Sequence, residues 1–165
     1  DGFFQYKQEN IVKIIEVIRW CQPTIVLANA PRDRHPDHGR ASKLIVDACF
    51  YAGLVKIETK DENGQVQDRW RPDAVYHYIQ DYNLEADFVV DISDYMERKI
   101  ELVQAFRSQF YDPDSEELTT PLTGADFFEM LRGKAKVYGR PAGFSYAEGF
   151  INSRTPGVKS LFDLV

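Results

Sequence analysis

Thr24-Ile25-Val26-Leu27-Ala28, then Arg32-Asp33-Arg34-His35-Pro36-Asp37-His38-Gly39-Arg40, then Ala41-Ser42-Lys43-Leu44-Ile45-Val46-Asp47-Ala48-Cys49 form the stretch on which the fold turns. The first run is short, unbroken and rich in β-branched side chains, which predicts a buried strand. The last run has apolar residues at 41, 44, 45, 48, 49 and 52, the spacing of one helix face. Gly53 follows as a stop. The polar residues between the two runs therefore form a strand-to-helix loop. In an open α/β sheet such loops lie at the carboxyl ends of the strands, where ligands bind. This loop carries His35 and His38, two of the chain's three histidines, together with Asp33, Asp37, Arg32, Arg34 and Arg40.

Upstream, Ile11, Ile14, Ile15 and Ile18 recur at helical spacing and predict a helix from Asn10 that Pro23 ends. Downstream, Lys60-Asp61-Glu62-Asn63-Gly64-Gln65 is polar and holds an Asn-Gly pair, which predicts an exposed hairpin or loop without a catalytic role. Residues 74–79 and 88–92 read as further strands. Asp94 and Glu97 have capping-box spacing and open a helix carrying Met96, Ile100, Val103, Ala105, Phe106 and Phe110, which Asp112-Pro113-Asp114 stops. An acidic loop over 114–120 leads to Thr123-Gly124-Ala125-Asp126, expected to cap a last helix with Phe127, Phe128, Leu131 and Ala135, closed by Gly139 and Pro141. Residues 144–151 are expected as an edge strand or extended segment, and Leu161, Phe162 and Leu164 of the tail to dock or make a subunit contact. No repeat or internal boundary breaks the pattern. It predicts one α/β domain over 1–165, with a mostly parallel sheet flanked by helices and a less regular C-terminal part.

The chain has 165 residues, 44% hydrophobic and 13% aromatic, enough for a real core. Its net charge of −6 argues against a general nucleic-acid binder, which needs a basic face. It leaves room for a small anionic substrate held by local arginines. Cys21 and Cys49 lie inside apolar helical patterns and are expected as reduced core residues. No membrane span is visible in the sequence, and a cytoplasmic protein is expected.

The loop and several segments beyond it resemble a known family. His35-Pro36-Asp37-His38 after a buried strand is similar to half of the active site of the PIG-L/LmbE-like zinc de-N-acetylases. Within that family, Ala30-Pro31-Arg32-Asp33-Arg34-His35-Pro36-Asp37-His38, Trp70-Arg71-Pro72, Val75-Tyr76-His77-Tyr78, Phe106-Arg107-Ser108-Gln109-Phe110-Tyr111 and Ala147-Glu148-Gly149-Phe150 resemble the bacillithiol-biosynthesis deacetylases. The resemblance implies a Rossmann-like α/β fold. It implies a Zn2+ (or other divalent metal) hydrolase that removes acetate from an N-acetylglucosaminyl conjugate, with N-acetylglucosaminyl malate as the expected amino-sugar substrate. It also implies a homo-oligomer, with a hexamer as one form; from the charge and the lack of an apolar span, no nucleic-acid or membrane partner is expected. Family members carry a second motif, Ala-His-Pro-Asp-Asp, near their N-terminus, with two zinc ligands and the general base. This sequence has no such motif, so the expectation is a deacetylase domain without its N-terminal portion, whose active site is incomplete in this chain alone.

Carried onto these residues, the resemblance makes His38 a metal ligand; a lone histidine in a first helical turn would more often simply hydrogen-bond. It makes His35 the electrostatic catalyst or general acid beside the scissile carbonyl. Asp37 either holds the His35 ring or caps the following helix, or does both. Arg32, Arg34 and Arg40 either grip a substrate carboxylate or pair with Asp33 and Asp37. His77, between two tyrosines on a strand, reads as a satisfied core or edge histidine. The roles of Arg107, Tyr111, Tyr138, Tyr146 and Glu148 stay open. The competing expectation is a truncated α/β module that binds a partner or sugar without chemistry.

Overall fold

Helix α1 (Gln8–Cys21) starts ahead of the Asn10 expected from the apolar spacing. It buries Ile11, Ile15 and Ile18, and also Arg19. Its end is a left-handed Gln22 (φ 46°), whose N–H returns to the Ile18 carbonyl. Strand β1 (Ile25–Asn29) follows, then α2 (Pro36–Ala52), β2 (Ala74–Tyr78), β3 (Phe88–Asp91), α3 (Met96–Gln104), α4 (Phe127–Gly139) and β4 (Ala147–Asn152). This computed structural model describes residues 2–106, 109–110, 122–124 and 126–164. Arg107 and Tyr111, the 112–114 stop, the acidic loop and Ala125 lie outside the described residues.

The chain groups into two compact units, Asp1–Glu85 with Phe150–Val165, and Ala86–Gly149, where the sequence marks no boundary. In the first unit β1 and β2 pair in parallel, with Val26 opposite Val75 and Ala28 opposite His77. Residues 150–152 of β4 pair antiparallel with β2, so the sheet is mixed. Val26 and Val75 pack on a core made by Ile11, Ile15 and Ile18 of α1 with Leu44, Ala48, Cys49 and Ala52 of α2. This is the α/β arrangement that the alternating apolar runs predict.

Side chains outside the apolar pattern secure this unit. Arg19 donates to the carbonyls of Ala52, Leu54 and Ile57 and to Thr59 Oγ1, at 2.7–3.0 Å, and so holds the run that leaves α2. Trp70 donates from Nε1 to the Pro23 carbonyl at 2.9 Å, which fixes the entry to β1. Gly53 does end α2, but at φ −81°, so it is not a left-handed cap. A Cβ there would instead clash with the Arg71 guanidinium. Asn63-Gly64 forms the expected turn, closed by the Asp61 N–H to the Gln65 carbonyl and a bridge between Lys60 and Val66.

In the second unit Met96 and Ile100 of α3 pack with Ala135 of α4, flanked by Ile92, Phe128, Leu131 and Tyr146. Glu97 and Arg132 join the two helices in an ion pair. The expected capping box does not form. A short 3-10 turn, Ser93–Tyr95, precedes α3, and Asp91 accepts both the N–H and the O–H of Ser93. Strand β4 has β3 as well as β2 for a neighbour, so it is an interior strand and not the expected edge. Cys21, the last residue of α1, is exposed, contrary to its expected core position; Cys49 is buried, and both are free thiols. Leu161 and Phe162 of the tail are largely exposed. No helix among the described residues is long and apolar enough to cross a membrane.

Candidate functional site

The loop after β1 is anchored before it reaches the helix. Pro36 takes the first helical position, where its fixed φ suits a helix start and its missing N–H costs nothing. His35 is the N-cap, with extended backbone (φ −83°, ψ 125°), and its Nδ1 accepts the Asp37 N–H at 3.3 Å. The cap reading of Asp37 is therefore corrected: an imidazole occupies the place a carboxylate commonly takes. Gly39 lies so close to the loop that a Cβ there would stand 2.9 Å from the Pro31 carbonyl oxygen. A side chain at this position would push α2 off the loop.

This local geometry brings the two imidazoles together, with ring centroids 5.3 Å apart. His38 Nδ1 lies 2.6 Å from Asp33 Oδ2. The Asp33 side chain is 1% exposed. Its other oxygen accepts the backbone N–H groups of Asp81 and Tyr82 at 3.1 and 3.0 Å. Burial raises the Asp33 carboxyl, but the Tyr82 N–H, the His38 ring and the Arg34 N–H outweigh it, and the pKa lies below the ordinary value.

Asp37 lies 3.9 Å from His35 Nδ1. Its closer partners are the Gly2 N–H (2.7 Å), the Phe4 N–H (3.2 Å) and Arg40 (3.0 Å). Asp37 thus ties the segment before α1 to the loop. Here too burial raises the carboxyl, while the Gly2 N–H, Arg40, the Phe4 N–H and His35 carry it below the ordinary value. The arginines divide. Arg34 pairs with Asp81 at 2.9 Å and Arg40 with Asp37, whereas exposed Arg32 lies over the Tyr82 ring, 5.9 Å from its centroid. His77 is buried and satisfied: Nδ1 lies 2.7 Å from the Asn29 carbonyl and 3.1 Å from Ser42 Oγ, and Nε2 2.8 Å from Ser153 Oγ. Glu148 pairs with Lys99, within the second unit.

Asp33 is the residue that reading the sequence missed as a site member. Its signal was there: an acid five positions before the candidate ligand in the same loop. Nothing in that spacing told it from Asp37, because the backbone groups that hold it come from residues 81 and 82. For a metal ion, His38 has the carboxylate-bonded ring that metal-ligating histidines commonly have. The described residues fit a metal at this one position; among them no group of three His, Cys, Asp or Glu side chains stands together.

No protein-family model matches the chain. It is 36% identical over 152 residues to diacetylchitobiose deacetylase of Thermococcus kodakarensis, an alignment covering 90% of this chain and 52% of that protein. The chain thus spans about half the length of that curated relative. Among solved structures, a conserved protein of Thermus thermophilus matches with a TM-score of 0.79 and 28% identity, over 98% of this chain and 66% of that one. The N,N'-diacetylchitobiose deacetylase of Pyrococcus horikoshii, solved with an inhibitor, matches with a TM-score of 0.72 and 26% identity, over 100% and 59% of the two chains. The 4-carboxy-2-hydroxymuconate hydratase of Pseudomonas putida, at 17% identity and a TM-score of 0.70 over 95% and 63%, shares the fold. In sequence and in α/β fold, over nearly all of its own length, the chain is similar to diacetylchitobiose deacetylases.

Proposed function

We propose that this chain belongs to the zinc de-N-acetylases and carries the histidine part of a site that removes acetate from an N-acetylglucosaminyl conjugate. The observation that carries the proposal is the pairing of His35 and His38, 5.3 Å apart on the loop after a parallel strand, in a chain similar to diacetylchitobiose deacetylases. In this reaction a water oxygen adds to the acetamide carbonyl carbon, the C–N bond breaks, the amine takes a proton, and acetate and free amine leave. A zinc or other divalent ion, held in part by His38, would supply Lewis acidity and an activated water.

The chain's own residues do the rest of what can be assigned here. His35 Nδ1 accepts the Asp37 N–H, so its ring proton sits on Nε2, from which it donates to the oxyanion that develops on the carbonyl oxygen. Asp37 and Arg40 hold the segment before α1 against the loop. Arg34 and Arg40 are already engaged by carboxylates, which leaves Arg32 as the arginine best placed to meet a substrate carboxylate. That favours N-acetylglucosaminyl malate over an uncharged N-acetylglucosamine disaccharide. No described residue is assigned as the general base or as a further metal ligand, since the sequence holds no Ala-His-Pro-Asp-Asp motif and no three-donor group stands among the described residues.

The test is made on the polypeptide that carries these residues, isolated from its source. It is expected to hold about one zinc per chain and to release acetate from N-acetylglucosaminyl malate faster than from diacetylchitobiose. The second reading is a sugar- or partner-binding module without chemistry, and the lack of a three-donor group among the described residues favours it. Sugar binding with no zinc and no acetate release from either substrate would establish that second reading.

A further inference from the structure

The two oxygens of Asp33 are committed to different partners. Oδ1 is held by the backbone N–H groups of Asp81 and Tyr82, and Oδ2 faces His38 Nδ1 at 2.6 Å. With its side chain 1% exposed, the carboxylate can neither rotate nor exchange these partners for water without breaking the turn after β2. An ionised carboxylate only accepts hydrogen bonds, so the proton between the two groups belongs to the imidazole, on Nδ1. The neutral His38 ring then has its lone pair on Nε2.

We infer that Asp33 is a positioning residue, anchored by the Asp81-Tyr82 backbone, that sets the tautomer and ring orientation of His38 and so presents Nε2 to a metal ion. The inference rests on the reading of His38 as a ligand. It makes a prediction that a packing role does not. In Asp33→Asn the two backbone donors require the amide oxygen at the Oδ1 place. The amide NH2 then faces His38 Nδ1, which must accept. The ring proton moves to Nε2 and blocks the ligating lone pair. The opposite amide orientation sets the NH2 against two backbone donors instead of one ring nitrogen. In Asp33→Ala, Nδ1 meets water and both tautomers remain accessible. The near-isosteric Asn variant should therefore be more damaging to metal binding than Ala. A residue that merely supports the loop would give the reverse order, since Asn keeps both backbone bonds.

Long-range proton–nitrogen NMR of the imidazoles, at about pH 8.5, where histidine is ordinarily neutral, reads the tautomer on the 165-residue chain without metal. The His38 signals are assigned by their loss in His38→Ala. The expected result is Nδ1–H in the parent and Nε2–H in Asp33→Asn, with well-dispersed backbone amides in both. Titration with zinc, or with cobalt(II) followed by its visible absorption, on the polypeptide isolated from its source should then show affinity reduced about 10–100-fold in Asp33→Asn, beyond the loss in Asp33→Ala. Retention of Nδ1–H in Asp33→Asn, or a larger loss of affinity in Asp33→Ala, would overturn the inference. If the polypeptide isolated from its source binds neither metal while the tautomer switches as stated, Asp33 keeps its role and the metal reading of His38 falls.

Discussion

His35 and His38 share one loop, yet their ring nitrogens are committed to different kinds of group. His35 Nδ1 accepts a backbone N–H, whereas His38 Nδ1 meets a buried carboxylate. Their substitutions should therefore separate. In the intact polypeptide, His38→Ala should abolish zinc retention and acetate release together. His35→Ala should keep the zinc and lower kcat by about 10²–10⁴-fold, the range for a lost acid or oxyanion donor. Zinc content and kcat measured on the same preparations decide this, and equal zinc loss in both variants would make both histidines ligands. Arg32→Glu should raise KM for N-acetylglucosaminyl malate by about 10-fold or more, one lost charge-assisted bond, and leave diacetylchitobiose nearly unchanged. The same loss on both substrates would confine Arg32 to the loop. At this scale the residue types were legible, because a cluster of two histidines and three arginines in one loop is a local property of the chain. The pairings were not. Asp33 accepts hydrogen bonds from residues 48 and 49 positions away, and Arg34 finds Asp81 at 47, so which acid serves which base is decided by the fold.

The helices and strands were read from apolar spacing, and α1, β1, α2 and β2 lie where that spacing put them, with ends shifted by a few residues. The shifts have local causes. Pro36 starts α2 ahead of its first apolar residue, and the 3-10 turn at Ser93–Tyr95 takes the place of a capping box. Arg19 was invisible to apolar spacing, although it is 4% exposed on the buried face of α1. Arg19→Met would fill the volume but leave three carbonyls and Thr59 without their donor. Stability should fall by about 2–4 kcal/mol, the cost of several buried bonds to a charged group less some retained packing. Urea unfolding measures this, and a change within about 0.5 kcal/mol would place Arg19 among ordinary surface residues. The two thiols give a second check on how α1 and α2 are seated. Burial raises the Cys49 thiol to about 11, so at about pH 8 it is protonated as well as covered. Exposed Cys21 should take up iodoacetamide in the native state, and Cys49 only after unfolding. Peptide mass mapping distinguishes the sites, and rapid native labelling of Cys49 would mean that α2 is not packed as described.

Strand β1 is the place where the whole chain is most demanding of its surroundings. Among the described residues it pairs with β2 alone. Alternation turns Val26 and Ala28 toward the helices and leaves Ile25 and Leu27 on the opposite side, 51% and 57% exposed. Parallel strands are ordinarily covered on both faces, and an open edge with apolar side chains invites pairing with another chain. The sequence pattern foretold a buried strand, because periodicity reports that a run is apolar and not what covers each side of it. The 165-residue chain on its own should therefore self-associate with rising concentration, and Ile25→Lys with Leu27→Lys should reduce this, since charges on an edge strand oppose strand-to-strand pairing. Because Val26 and Ala28 keep the core contacts, the double variant should retain the parent's far-ultraviolet circular dichroism. Sedimentation velocity over a concentration series gives the answer. A parent that stays monomeric throughout, or a double variant that associates as strongly as the parent, would show that this face of β1 does not drive association.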